Sequence, residues 1–234
     1  MEHFPDIYDW INKGVIALDV HKKECQHQML HNMLLPCLKI KILDGANFGK
    51  PEFREKAEDF LQRTSPVVFI SSPKKQNLQK DWIYEVSTWE SIEAFIANHT
   101  PVHDYNFLIT EMVTGTEDSL TGIAISDGKG SMLIEFYKKP YCVNISPIVS
   151  GFSEPKYMDI AHVKNGYLRI APKKIDIEDI KELYMFLNCK KGYFEFIKGI
   201  KNNSHGLFFM EYQDDPAFTR ALKLADSIQE NPFQ

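Results

Sequence analysis

Only four cysteines occur in 234 residues, Cys25, Cys37, Cys142 and Cys189, and no two form a Cys-x-x-Cys pair. Such scatter argues against a disulfide framework and for reduced thiols in a cytoplasmic protein. The apolar runs, such as Pro66-Val67-Val68-Phe69-Ile70, fall far short of the ~20 residues a bilayer-spanning helix needs. The opening Met1-Glu2-His3-Phe4-Pro5-Asp6 lacks the basic-then-apolar layout of a secretory signal. Basic charge is not in excess: 27 Lys and Arg against 32 Asp and Glu leave a net charge of −5. That sign gives no general attraction to nucleic acid or anionic membrane, and neither is expected as a partner. No Gly-x-Ser-x-Gly elbow occurs, so serine-nucleophile chemistry has no support. What remains is a globular composition, 44% hydrophobic and 25% charged, long enough to bury a sizeable core.

Periodicity predicts the order of elements. His21 to Leu35 reads as a helix ended by Pro36, Leu38 to Leu43 as a strand, and Asp44-Gly45-Ala46-Asn47 as a turn. Glu52 to Arg63 places Phe53, Ala57, Phe60 and Leu61 at helical spacing. Strands follow at 67–70 and 82–86, separated by the polar loop Ser71 to Asn77. Ser87 or Thr88 caps a helix running to Asn98, with Glu90 placed for a capping box. Further strands are expected at 107–113, 121–126 and 131–137, the last two joined by a turn at Asp127-Gly128-Lys129-Gly130. Residues 140–175 read as irregular with short strands, 177–187 as a helix, and 216–228 as a final helix. Strands and helices interleave without a strict βαβ rhythm, which favours an α+β fold.

The most informative stretch is Gly192-Tyr193-Phe194-Glu195-Phe196-Ile197, a polar turn, then His205 to Gln213. Two runs rich in strand-forming residues flank Lys201 to Gly206, which reads as a hairpin. Each run carries one acid, Glu195 or Glu211, in apolar surroundings. A buried carboxylate has to be paired, protonated or bound to a cation, because desolvating a bare charge costs several kcal/mol. Two such acids on adjacent strands suit a divalent metal, and magnesium usually couples to phosphates. The alternative is that both lie on the solvent face of a half-exposed hairpin.

The order of these phrases resembles the ATP-grasp family over roughly residues 66–219. Val86-Ser87-Thr88-Trp89-Glu90-Ser91-Ile92-Glu93 is similar to its helix-opening Ser-x-Glu-Glu phrase. Leu108 to Gly115 looks like its hinge strand, and Glu195 with Glu211-Tyr212-Gln213 looks like its closing acid and Glu-x-Asn phrase, with Gln replacing Asn. A narrower likeness is to the nucleotide-binding domain of phosphoenolpyruvate synthase and pyruvate phosphate dikinase. Phe69-Ile70-Ser71-Ser72 stands where those enzymes carry Arg-Ser-Ser, so Ile70 replaces an arginine; Gln213 replaces another. Their glycine-rich phosphate loop has no counterpart in the first 65 residues, and their histidine domain is missing.

The resemblance implies an α+β, two-lobed fold with mixed or antiparallel sheets. Its expected divisions are a segment at 1–65, a first lobe at 66–115 and a second at 116–234. It implies ATP and magnesium as cofactors and an unidentified small-molecule or protein acceptor. Ser71, Ser72, Glu111, Met112 and Val113 would contact the nucleotide, and Glu195, Glu211 and Gln213 the metal. Arg169 and Lys74 would supply cationic charge to a transferred phosphoryl group, which such chemistry requires. As bare residues, Lys74, Lys75 and Lys80 also read as solvated lysines, and Arg169 as a surface arginine with a buried stem. The expected activity is an ATP-dependent ligation or phosphoryl transfer; the alternative is a degenerate binding or scaffolding module. Two smaller features remain. Asp127-Gly128-Lys129-Gly130 is too short for a Walker loop. His27 and His31, near His21 and Cys25, have a zinc-compatible spacing but lack a matching carboxylate or second cysteine.

Overall fold

The computed structural model describes residues 23–75, 77–116, 119–137, 158–171 and 176–214, with Leu222. Of the stretch expected at 140–175 to be irregular with short strands, residues 140–157 and 172–175 lie outside these residues and 158–171 hold two strands; the helix at 216–228 lies outside apart from Leu222. The chain divides into two compact units, Leu38–Val113 and residues 1–37 with 114–234. The expected boundary at 65 does not coincide with either division. The reason is strand pairing: the early strand belongs to the same sheet as the strands after 66.

In the unit Leu38–Val113, β1 (Ile40–Asp44), β2 (Val67–Pro73), β3 (Trp82–Val86) and β4 (Tyr105–Glu111) form one antiparallel sheet in the order β1-β4-β2-β3. Helices α2 (Pro51–Thr64) and α3 (Trp89–Ala97) share a core with it. In α2, Pro51 occupies the first turn, where its missing N–H costs nothing, and Phe53, Ala57 and Leu61 recur every four residues as the buried stripe. The helix α3 is capped by Thr88, whose hydroxyl accepts from Ser91 N at 3.3 Å. Ser91 therefore takes the third helical position that the sequence reading assigned to Glu90. Phe53, Phe69, Phe95 and Phe107 are all buried and meet edge-on or stacked at 5.6–6.4 Å between ring centroids. Such pairs contribute about 0.5–1.5 kcal/mol each beyond their burial.

The other unit is built on a six-stranded antiparallel sheet, β10-β9-β5-β6-β7-β8. Its strands are β5 (Leu120–Asp127), β6 (Met132–Tyr137), β7 (Met158–Lys164), β8 (Tyr167–Ile170), β9 (Lys191–Lys201) and β10 (Ser204–Gln213). One face buries Ala124, Ile134, Phe136, Phe194, Phe196 and Phe209 against Leu30 of α1 (Lys23–Asn32) and Ile180, Leu183 and Leu187 of α4 (Ile177–Leu187). On this face Lys198 of β9 reaches Asp179 and, at 3.2 Å, Glu182 of α4. Burial works against the Lys198 ammonium, but these two carboxylates outweigh it and raise its pKa. Gly122 lets Phe196 meet Phe136 at 5.8 Å, because a Cβ there would lie 2.2 Å from Glu135 O and 2.6 Å from the Phe196 ring. Among the described residues no helix is long and apolar enough to cross a membrane.

The β9–β10 hairpin turns at Asn202-Asn203, both with positive φ (51° and 62°), the backbone of a tight turn that matches strand twist. From Ser204 to Phe209 the register is regular; it then shifts by one residue between Phe209 and Glu211. Phe209 pairs with Phe196 and Glu211 with Glu195, so Met210 is the extra residue of a bulge. In an unbroken strand Phe209 and Glu211 would share a face. The bulge sends Phe209 to the core and turns Glu211 to the opposite side.

This register makes a directional prediction. Deleting Met210 restores a regular ladder with both faces intact and should change stability by no more than about 1 kcal/mol. Deleting Leu207 drives Phe209 off the core face and should cost about 3–5 kcal/mol, the range for losing a buried aromatic. Urea midpoints of the two deletion variants check the contrast.

Candidate functional site

The sheet face opposite α4 buries polar side chains among apolar ones. Direct cross-strand partners place Glu135, Ile123, Glu195 and Glu211 in one row across β6, β5, β9 and β10. Two residues along, the next row is His162, Leu133, Ile125, Tyr193 and Gln213. Glu195 and Glu211 are 8% and 5% exposed, and Glu135 and His162 are fully buried. The solvent-face reading of the two hairpin acids is thereby corrected: register and bulge turn both toward the interior. As direct antiparallel partners they have Cβ atoms about 4.5–5.5 Å apart, within shared reach of one cation.

Both carboxylates are held from their own strands. The Tyr193 hydroxyl donates to Glu195 Oε1 at 2.9 Å, and Gln213 Nε2 donates to Glu211 Oε1 at 2.9 Å. Tyr193 and Gln213 are themselves cross-strand partners, so donors and acids form a two-by-two block. Burial, foremost, drives the Tyr193 phenol well above its ordinary value; the Glu195 charge, its hydrogen bond and the Glu135 charge act in the same direction. Tyr212, on the core face, is pushed up to about 12 by burial and the nearby Asp214 charge.

The donor set suits a hard, oxygen-seeking cation: two carboxylates and an amide side chain, without thiolate. Among the described residues no group of three His, Cys, Asp or Glu side chains is arranged to hold a metal. Magnesium, for comparison, keeps several waters and is bound through one or two carboxylates plus substrate phosphates.

The remaining candidates lie elsewhere. Arg169 is exposed on β8, the strand at the sheet edge. Six belong to the unit Leu38–Val113. Lys74 Nζ reaches Asp44 Oδ1 at 2.6 Å and His103 O at 2.9 Å. Its hydrogen bond is the main reason the Asp44 carboxyl is held below its usual value. Ser71 is buried; its hydroxyl accepts from Asp81 N at 2.8 Å and its backbone N–H donates to Asp81 O at 2.8 Å, closing the loop between β2 and β3. Ser72 is half-buried near the end of β2. Glu111 ends β4, where its Oε2 accepts from Lys39 N at 2.8 Å and its N–H donates to Lys39 O at 3.1 Å. Met112 and Val113 follow directly, half-buried and buried. Of the zinc-compatible set, His27 and His31 lie on α1, while His21 and the Cys25 side chain fall outside the described residues.

Sequence reasoning missed Glu135, His162 and Tyr193. Glu135 had a legible signal, since Met132-Leu133-Ile134-Glu135-Phe136-Tyr137 repeats the pattern of one acid in an apolar strand.

No protein-family model matches the sequence, and no curated protein matches it. Among solved structures, the chain is similar to a Chryseobacterium gregarium RiPP-associated ATP-grasp ligase in complex with ADP and a leader and core peptide. The identity is 8% and the TM-score 0.48, over 89% of this chain and 58% of that one. It is similar to the macrocyclase MdnC from Microcystis aeruginosa MRC, bound with precursor peptide MdnA, at 9% identity and TM-score 0.43, over 88% and 59% of the two chains. It is also similar to D-alanine–D-alanine ligase from Bacillus anthracis complexed with ATP, at 14% identity and TM-score 0.41, over 91% and 60%. The chain thus spans about three fifths of the length of these structures.

The buried phenol predicts an alkaline signature. Its folded pKa lies above the ordinary 10.0, so its stabilisation is full below pH 10 and is lost as pH rises further, when the unfolded chain sheds the proton first. Urea midpoints should therefore fall above about pH 10, and Tyr193→Phe should flatten that fall. Phenolate absorbance of the native protein should lack the Tyr193 contribution until the chain unfolds.

Proposed function

We propose that this chain is an ATP- and magnesium-dependent ligase or phosphotransferase of ATP-grasp type, acting on a small-molecule or protein acceptor. One observation carries the reading: Glu195 and Glu211 are direct cross-strand partners, both buried, on the polar face of an antiparallel sheet. Two carboxylates so placed are within shared reach of one divalent cation, which offsets their mutual repulsion.

Glu195 and Glu211 hold the metal through carboxylate oxygens, and Gln213 adds its amide oxygen while its nitrogen faces Glu211. Bound there, magnesium neutralises charge on the nucleotide phosphates. The backbone after β4, at Glu111, Met112 and Val113, receives adenine, and Ser71 and Ser72 serve the nucleotide from the end of β2. Ser71 does so through its place in the loop, because its hydroxyl and N–H are engaged with Asp81. Arg169 is the cation assigned to the transferred phosphoryl group. Lys74 is the second candidate cation, able to exchange the Asp44 carboxylate for a phosphate oxygen, both being anionic acceptors of the same ammonium. Ile70 stands where the phosphoenolpyruvate synthase pattern has an arginine, so that position itself supplies no charge.

Thermal denaturation with ATP and magnesium tests this. Nucleotide at about 100 times its dissociation constant should add about 2.7 kcal/mol of stability. Glu195→Ala and Glu211→Ala should each remove the magnesium-dependent part of the shift and leave a cooperatively folded protein. An unchanged melting curve at millimolar nucleotide rejects the proposal.

A further inference from the structure

We infer that Tyr193 is a positioning residue for the metal, acting through Glu195; this rests on the metal reading of the Glu195–Glu211 pair. Tyr193 is fully buried on the polar face, and its hydroxyl donates to Glu195 Oε1 at 2.9 Å. A free carboxylate rotates about its terminal bond with little resistance. A donor fixed to one oxygen stops that rotation and sets where the second oxygen points. Tyrosine suits the task because its ring has few rotamers and is locked here by complete burial, so the hydroxyl is held at a defined height above the sheet. Two residues separate Tyr193 from Glu195 on β9, which puts both on one face.

The arrangement has a mirror on β10. Gln213 stands two residues from Glu211, donates to its Oε1 at 2.9 Å, and is the cross-strand partner of Tyr193. The two acids are therefore oriented symmetrically about the strand pair. Gln213 also offers an amide oxygen to a cation, whereas a neutral phenol serves chiefly as a donor. Tyr193 thus has an orienting role distinct from ligation.

Hydrogen-bonded partners of ligating carboxylates change metal affinity by 10–100-fold when removed. Calorimetric titration of magnesium into the ATP-loaded protein, repeated with manganese and followed by electron paramagnetic resonance, reads that affinity without any assay of turnover. Tyr193→Phe keeps the ring and deletes the hydroxyl; it should weaken metal binding about 10–100-fold and leave nucleotide affinity without metal unchanged. The double mutant with Glu195→Asp closes a cycle: aspartate keeps the ligating charge but is one methylene short of the Tyr193 hydroxyl, so in that background Tyr193→Phe should have almost no further effect on metal binding. Equal metal affinity of Tyr193→Phe and the parent overturns the inference and leaves the magnesium reading standing. Additive losses in the cycle also overturn it, since the hydroxyl would then act independently of Glu195. Absence of metal binding by the parent protein overturns both. Should Tyr193→Phe lower the melting temperature, the cycle still decides, because a general loss of packing appears in both backgrounds.

Discussion

Two carboxylates side by side inside a protein must have their charge answered, and the polar face of the six-stranded sheet is organised around that demand. Glu195 and Glu211 face each other across β9 and β10. Each acid accepts a hydrogen bond from a residue two positions away on its own strand, which offsets part of the repulsion at that spacing. The opposite face is aromatic and aliphatic and buries itself against α1 and α4. The sheet therefore works as a partition: one side supplies the stability, and the other holds an arrangement that would be unfavourable alone.

The bulge at Met210 reconciles the two sides. Phe209 contributes to the core with Phe194 and Phe186, at 5.9–6.1 Å between ring centroids. Glu211 is only two positions further on, yet it belongs to the other face. One extra residue changes which side the strand presents, without breaking the pairing on either flank. Bulges recur beside functional sites because they re-aim a side chain at small cost.

In the unit Leu38–Val113 several residues that the resemblance marked for nucleotide have structural partners. Ser71 closes a loop with Asp81, Glu111 fastens the start of β1 through Lys39, and Lys74 pairs with Asp44. These bonds fix the positions from which the residues would act. They also mean that any ligand has to compete with existing partners, least severely at Lys74, whose ion pair is partly exposed.

Much of the fold was readable along the chain. The helices at 52–63 and 177–187 appeared because Phe53, Ala57 and Leu61, or Ile180, Leu183 and Leu187, recur on one helical face. The hairpins followed from Asp127-Gly128-Lys129-Gly130 and from the polar break after Ile200. These are local signals, set by propensity and periodicity within a dozen residues. The acids Glu195 and Glu211 were legible for the same reason, as single charges in apolar strands. Pairing was not. That β1 joins β4 across more than sixty residues, and that Glu135, Ile123, Glu195 and Glu211 align in one row, depends on register between distant strands. Tyr193 shows no role in the sequence; its hydrogen bond to Glu195 appears only in the folded strand. Amino-acid order settled where strands, helices and turns begin and which residues are chemically capable. Tertiary structure alone settled which of them face one another, because side-chain direction on a strand alternates, and a single bulge or register shift reverses it.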